Sequence, residues 1–162
     1  MRRHGRLPLI VFLAAGCVAT AASASAADRS TSGGAVVKVA FNKHLKKSIL
    51  VDARGFTLYL FTPDHGAPTC YDDPAQHCAR IWPPLTTTGA PKAGRGVKAS
   101  LLGTAKTRDG KTQVTYHGYP LYRDAGANGL GLARDKKPGD VNGQGFFSLW
   151  YVLAPSGKPI KR

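Results

Sequence analysis

The loop between residues 64 and 78 concentrates the side chains that could bind a metal or take part in redox chemistry. Thiols, imidazoles and carboxylates are the usual protein ligands of zinc, and this loop supplies all three, as Asp64, His65, Cys70, Asp72, Asp73, His77 and Cys78. Their spacing matches no standard zinc motif. If the two cysteines form a disulfide, the weak metal candidates that remain are Asp64, His65 and His77. A metal-binding or redox-linked loop and a disulfide-closed surface loop with turn-capping aspartates both fit the residues, and the spacing favours the second.

The rest of the sequence offers no recognisable catalytic arrangement. Every acidic residue is an aspartate, which excludes mechanisms that need a glutamate. No serine lies in the G-x-S-x-G context of a hydrolase nucleophile. Residues 135–145 resemble a calcium loop in composition but lack the EF-hand spacing, so we expect a tight turn there. We therefore predict that the protein is not an enzyme and requires no cofactor.

The first 26 residues have the organisation of a secretory signal peptide. A basic start is followed by an apolar run from Leu7 to Ala15 and by small residues that end in Ala24-Ser25-Ala26. An alternative is a lipoprotein signal that ends before Cys17, which would then carry the lipid. Both routes predict export to the periplasm or the exterior, the second with a lipid anchor in the envelope membrane. We expect a linker at 27–35, and no segment is apolar over the length that a transmembrane helix needs.

Export also bears on the cysteines. With Cys17 removed or lipidated, Cys70 and Cys78 are the remaining pair in an oxidising compartment. Cysteine pairs in exported proteins usually form disulfides, and we expect one here.

The charge of the chain is strongly positive. It has 23 Lys and Arg residues against 9 acidic residues, a formal net charge of +14 at pH 7. The basic residues form clusters at 43–47, 92–98, 134–137 and 158–162. Because export separates the protein from nucleic acid, anionic envelope surfaces or another polyanion are the expected partners. The alternative is that the clusters are solvated loops without a partner.

Strand signals dominate residues 36–162, and the expected class is all-β. Short β-branched or aromatic runs at 36–41, 49–51, 56–61, 101–104, 112–116, 119–122 and 146–153 are separated by Gly, Pro and Asp. We expect one hairpin to join 49–51 to 56–61 and another to join 101–104 to 112–116. No convincing helical periodicity is found beyond the signal segment.

Two segments of the chain look alike. Gly55-Phe56-Thr57-Leu58-Tyr59 parallels Gly118-Tyr119-Pro120-Leu121-Tyr122, and each is followed by a Trp in a short apolar run, Trp82 and Trp150. We therefore predict a small single domain of two related β repeats, at about 48–90 and 112–157, in a pseudo-two-fold arrangement.

These residues also carry a resemblance to a known family. Tyr59-Leu60-Phe61-Thr62-Pro63-Asp64 fits Y-x-[FWY]-x-x-D, and Trp82, Tyr122 and Trp150 follow in order. Over residues 48–157 the chain resembles the bacterial predicted lipoproteins with this motif, also called the secreted repeat of unknown function. The second copy departs from the motif, with an insertion between Tyr122 and Asp135 that leaves the role of Asp124 open. The resemblance implies secretion or lipid anchoring and no known activity.

The expected function is thus that of an exported, non-enzymatic binding or structural module for anionic envelope components. The alternative is a periplasmic metal-binding or redox-linked protein that uses the 64–78 loop. Nothing in the sequence indicates the oligomeric state.

Overall fold

The computed structural model describes residues 33–161, and strands dominate this part of the chain. The proposed signal segment, Cys17 and most of the expected linker lie outside the described residues. The strands are β1 (Val36–Asn42), β2 (Lys47–Asp52), β3 (Tyr59–Phe61), β4 (Asp72–Asp73), β5 (Gln76–His77), β6 (Lys92–Ala93), β7 (Leu102–Lys106), β8 (Thr112–Tyr116), β9 (Tyr119–Pro120) and β10 (Trp150–Val152). Between 33 and 161 the one α-helix, α1, spans four residues, Cys78–Ile81. The mostly β fold agrees with the class that the sequence predicted.

A three-stranded sheet in the order β2-β1-β6 begins the fold. β1 and β2 are antiparallel, with Val37 opposite Asp52 and Asn42 opposite Lys47, while β6 lies parallel to the start of β1. Residues 43–46, which include Lys43 and Lys46, form the turn between β1 and β2. The Asn42 side chain stabilises this turn, because its Oδ1 accepts a hydrogen bond from the backbone N–H of Leu45 at 2.9 Å.

A second three-stranded sheet has the order β7-β8-β9. The predicted hairpin is confirmed here, with Leu102 opposite Tyr116 and Lys106 opposite Thr112. Gly110 sits in its turn at φ +81°, a conformation that costs glycine little.

The predicted hairpin from Ile49–Val51 into Phe56–Phe61 is confirmed over its first half. Val51 and Thr57 form an antiparallel bridge, flanked by hydrogen bonds from the N–H of Asp52 to the Phe56 carbonyl at 2.8 Å and from the N–H of Leu58 to the Leu50 carbonyl at 3.1 Å. From Tyr59 on, β3 pairs with β10 instead of β2. The backbone of Tyr59 pairs with Tyr122 instead, since the two residues exchange two N–H to C=O hydrogen bonds of 2.9 Å. The chain therefore leaves β2 after Leu58.

The predicted strand at 146–153 is wrong over its first half. Phe146–Ser148 form a 3-10 turn, and β10 begins only at Trp150. Phe147 and Ser148 have φ of +50° and +57°, which no strand accommodates. The apolar character of the run was misleading because Phe147 remains 66% exposed.

Alternating side chains of the central strands divide the buried residues into two clusters. Leu58 and Leu60 face one cluster and Tyr59 faces the other, as successive residues of a strand must. The cluster around Leu58 also holds Val37, Leu50, Leu85, Val114, Tyr116, Leu121 and Leu153. The cluster around Tyr59 holds Trp82, Tyr122 and Trp150. Residues 56–61 therefore have apolar contacts on both faces, as their composition indicated.

Candidate functional site

The loop that the sequence singled out for metal chemistry is closed by a disulfide. Cys70 and Cys78 are bonded, with Cα atoms 5.2 Å apart, which confirms the predicted pairing. Both sulfurs are therefore unable to act as thiolate ligands. Asp73 caps the small β4–β5 turn through hydrogen bonds from the N–H groups of Ala75 and Gln76.

The remaining metal candidates are not gathered into one site. His65 and His77 are exposed, whereas Asp64 is fully buried. Asp64 Oδ1 accepts hydrogen bonds from the N–H and the hydroxyl of Thr69, at 2.8 and 2.6 Å. Within residues 33–161 no three His, Cys, Asp or Glu side chains lie close enough together to hold a metal ion.

Asp64 serves instead as the partner of a buried tyrosine. The Tyr122 hydroxyl donates to Asp64 Oδ2 at 2.6 Å, and the Tyr59 hydroxyl donates to Asp135 Oδ2 at 2.8 Å. The second oxygen of each carboxylate accepts a backbone N–H, from Thr69 for Asp64 and from Asn142 for Asp135. The two tyrosine–aspartate pairs thus use the same hydrogen-bonding scheme.

Both tyrosines are held in the protonated form. Burial is the largest cause, and the neighbouring carboxylates act in the same direction, so that the pKa values of Tyr59 and Tyr122 lie well above the usual value. The hydroxyls consequently remain hydrogen-bond donors across the physiological range. This chemistry suits a fixed structural contact.

The aromatic residues of the motif pack against one another. The rings of Trp82 and Trp150 are stacked, Tyr59 meets Trp82 edge to face, and Phe61 stacks on Trp150 at 4.5 Å. Gly143 borders this cluster, and a Cβ there would lie 2.6 Å from the Trp82 ring, so only glycine fits. Because both Trp side chains are buried, they form core in the described chain and offer no stacking platform to a ligand.

Asp124, whose role the sequence left open, occupies a different place from Asp135. Its Oδ1 accepts a hydrogen bond from the Gly126 N–H at 2.7 Å, while its buried Oδ2 has no partner within residues 33–161. Burial raises the pKa of Asp124 to about 7. Asp135, in contrast, is the partner of Tyr59.

A small cavity of about 180 Å³ lies beside these two carboxyl groups. Arg54, Arg123 and Arg134 line it as well. The Arg123 Nε is engaged by Asp52 Oδ2 at 2.8 Å. Since the Oδ2 of Asp124 is inaccessible and both Arg54 and Arg123 are paired with Asp52, the cavity presents few polar groups to a ligand.

A groove of about 450 Å³ brings together two basic clusters that are far apart in the sequence. We call it the basic groove; it lies between the β1–β2 turn and the loop at 137–140, and its lining includes Phe41, Lys43, His44, Ile49, Val51, Lys137, Pro138 and Asp140. Phe41 is 65% exposed there. The groove therefore combines an apolar floor with cationic side chains.

Two hydrogen bonds fix the two sides of the basic groove. Asn42 Nδ2 donates to the carbonyl oxygen of Gly139 at 2.9 Å, and Thr57 Oγ1 donates to that of Asp140 at 2.6 Å. Asn42 is buried although it carries no apolar side chain. Sequence analysis missed this contact, since no local signal links residues 97 positions apart.

One carboxylate opposes the positive charge of the groove. Asp140 Oδ2 accepts hydrogen bonds from the N–H groups of Lys136 and Lys137, which hold its pKa below the usual value. Asp140 therefore stays ionised and shapes the loop on which both lysines lie. Lys43, Lys136 and Lys137 form no ion pair within residues 33–161.

Comparison with known proteins identifies the class of one part of the chain. Residues 103–154 match a family model described as a secreted repeat of unknown function. The match covers about a third of the chain and confirms the resemblance over that part, most of which lies in the second predicted repeat. No curated protein and no solved structure matches the chain. In the described residues no helix is long and apolar enough to cross a membrane.

Proposed function

We propose that this is an exported, non-enzymatic protein that binds anionic components of the bacterial envelope. Removal of residues 1–26 as a signal peptide would deliver it, and the matched family is described as secreted. The observation that carries the binding role is the uncompensated positive charge of the described surface. Five basic side chains are ion-paired there, those of Arg54, Arg80, Arg108, Lys111 and Arg123.

The acidic residues are poorly placed to neutralise the other cations. Asp64, Asp124 and Asp135 are buried, and Asp140 is bound to backbone N–H groups. The exposed surface is therefore more positive than the composition suggests. Surface cations attract anionic lipids by about 1 kcal/mol per Lys or Arg close to the membrane.

We further propose that the domain consists of two related β units that share one core. Equivalent contacts support this interpretation. Tyr59 lies opposite Val152, two residues after Trp150, and Tyr122 lies opposite Pro84, two residues after Trp82. The hydroxyl of each tyrosine then reaches the aspartate of the other unit. Such an arrangement would let each unit cover the apolar face of its neighbour.

Vesicle co-sedimentation tests the binding role. Protein purified after export should bind vesicles of phosphatidylglycerol and phosphatidylcholine, and should bind neutral phosphatidylcholine vesicles little. Binding should weaken as salt is raised, because exposed charges are screened over about 8 Å at physiological ionic strength. Equal binding to both vesicle types, or no binding to either at low salt, would overturn the proposal.

A further inference from the structure

We propose that the basic groove is the point of contact with an anionic bilayer, with Phe41 entering the lipid and Lys43 and Lys137 meeting headgroup phosphates. This inference rests on the proposed function and assigns the binding to one surface of the protein. It assigns one face of the protein to the membrane, whereas diffuse surface charge would assign none.

The exposure of Phe41 is the first argument. Phe41 lies near the end of β1, where the strand enters its turn, and it borders the groove. Its side chain is on the opposite face of the β1–β2 hairpin from Ala40 and Ile49, and it belongs to neither buried cluster. A large aromatic side chain held in water gains free energy when it is transferred to an apolar phase. Ala40 and Pro138 are exposed in the apolar lining of the groove, whereas Ile49 and Val51 of that lining are buried.

The flanking charge is the second argument. Lys43 and His44 follow Phe41 in the same turn, and Lys137 approaches from the other side of the groove. Lys46, Lys47 and Lys136 lie on the same two segments. An apolar side chain bordered by lysines is the arrangement by which peripheral proteins attach to anionic membranes, since the lysine heads stay at phosphate level while the apolar group enters below.

The rigidity of the groove is the third argument. The Asn42 hydrogen bond holds the loop at 137–140 against the end of β1, and the Thr57 hydrogen bond holds it against the segment after β2. The backbone that carries Lys43 and Lys137 is therefore fixed before a lipid arrives. Preorganisation of this kind reduces the entropy that binding must offset.

Matched variants separate the groove from the rest of the surface. Phe41→Ser should weaken binding to phosphatidylglycerol-containing vesicles about tenfold, because half-burial of a phenyl ring contributes on the order of a factor of ten in affinity. Phe147→Ser removes an equally exposed phenyl ring elsewhere and should leave affinity within about twofold. The double variant Lys43→Ser/Lys137→Ser should lose more affinity than Lys106→Ser/Lys158→Ser, which removes the same charge.

Insertion itself has a direct readout. In a Phe41→Trp variant, brominated anionic lipids should quench the new indole, while the buried Trp82 and Trp150 of the parent should respond little. Thermal unfolding of each variant checks that the fold is intact. We expect it to be, because substitutions at exposed positions usually change stability little.

The outcomes distinguish the two proposals. If both double variants lose affinity equally and Phe41→Ser binds like the parent, the groove is not the contact and only the diffuse electrostatic function stands. If heparin, a soluble polyanion, binds as tightly as vesicles and binds Phe41→Ser unchanged, a polysaccharide partner replaces the bilayer and the groove proposal is overturned. If the parent binds no anionic vesicle at low salt, both proposals fail.

Discussion

The indole rings of Trp82 and Trp150 stack with centroids 3.9 Å apart and planes inclined by 6°. The two residues are 68 positions apart in sequence, yet each forms one half of the same buried contact. Their pairing joins the two halves of the described chain through the largest side chains available to it.

Replacing either tryptophan with alanine should therefore destabilise the protein by about 3–5 kcal/mol, the usual cost of emptying a buried aromatic site. The double variant should lose less than the sum, since each ring loses the same partner. Urea unfolding followed by circular dichroism measures these losses. Phe147→Ala, at an exposed position, is the control and should change stability by no more than about 0.5 kcal/mol. Additive losses would show that the stack contributes nothing of its own.

The tyrosine–aspartate contacts should also couple. Tyr122→Phe leaves Asp64 Oδ2 buried without its donor, which should cost about 1.5–3 kcal/mol. Combining it with Asp64→Asn should give a loss clearly different from the sum of the two single losses. Tyr119→Phe is a suitable control, because the Tyr119 hydroxyl donates no hydrogen bond within residues 33–161. A Tyr122→Phe variant as stable as the parent would argue against the contact.

Stability should fall as the pH rises from about 4 to about 7. The pKa of Asp124 is raised from 3.8 to about 7, so between these values the folded protein retains a proton that the unfolded chain has lost. Stability from this group is fully present below the unfolded pKa and declines by at most about 1.4 kcal/mol per pH unit. Burial raises the pKa of Asp135 too, and this adds to the trend.

Asp124→Asn, which mimics the protonated carboxyl, should flatten this profile between pH 4 and 7. Unfolding midpoints measured in urea across the pH series provide the test. Asp109→Asn is the matched control, since Asp109 is exposed and its hydrogen bond with Lys111 lowers its pKa to about 2, outside the window. Parallel profiles for Asp124→Asn and the parent would contradict the assignment.

Reduction of the Cys70–Cys78 disulfide should lower the free energy of unfolding by roughly 2.5 kcal/mol, the loop-entropy value for so short a loop. Unfolding with and without reductant measures the change. The Cys70→Ala/Cys78→Ala variant controls for other effects of reductant and should not respond to it. Two alkylatable thiols in the exported, unreduced protein would refute the pairing.

Local signals in the sequence were sufficient for much of the fold. The β-branched run at the start of β1 and the Asp-Gly turn between β7 and β8 are short-range features, and both predicted the correct element. The strand expected at 146–149 was wrong, because apolar content does not reveal that Phe147 adopts a positive φ.

The candidate site was harder to predict than the strands. The sequence drew attention to the loop at 64–78, where the disulfide was correct, but gave no reason for Asp64 to face the core. The basic groove depends on the contact between Asn42 and Gly139, which only the folded chain provides. Charge clusters are visible in a sequence, whereas their meeting across a fold is a tertiary property.

The crossed hydrogen bonds have a consequence for how the chain folds. Tyr59 meets Asp135 across 76 positions and Tyr122 meets Asp64 across 58, so neither contact forms until most of the domain has been synthesised. Contacts this distant slow the search for the native state, and folding within milliseconds to seconds is typical of β proteins dominated by them. A chain that stays unfolded over that interval is a suitable substrate for a secretion channel that accepts only unfolded polypeptides.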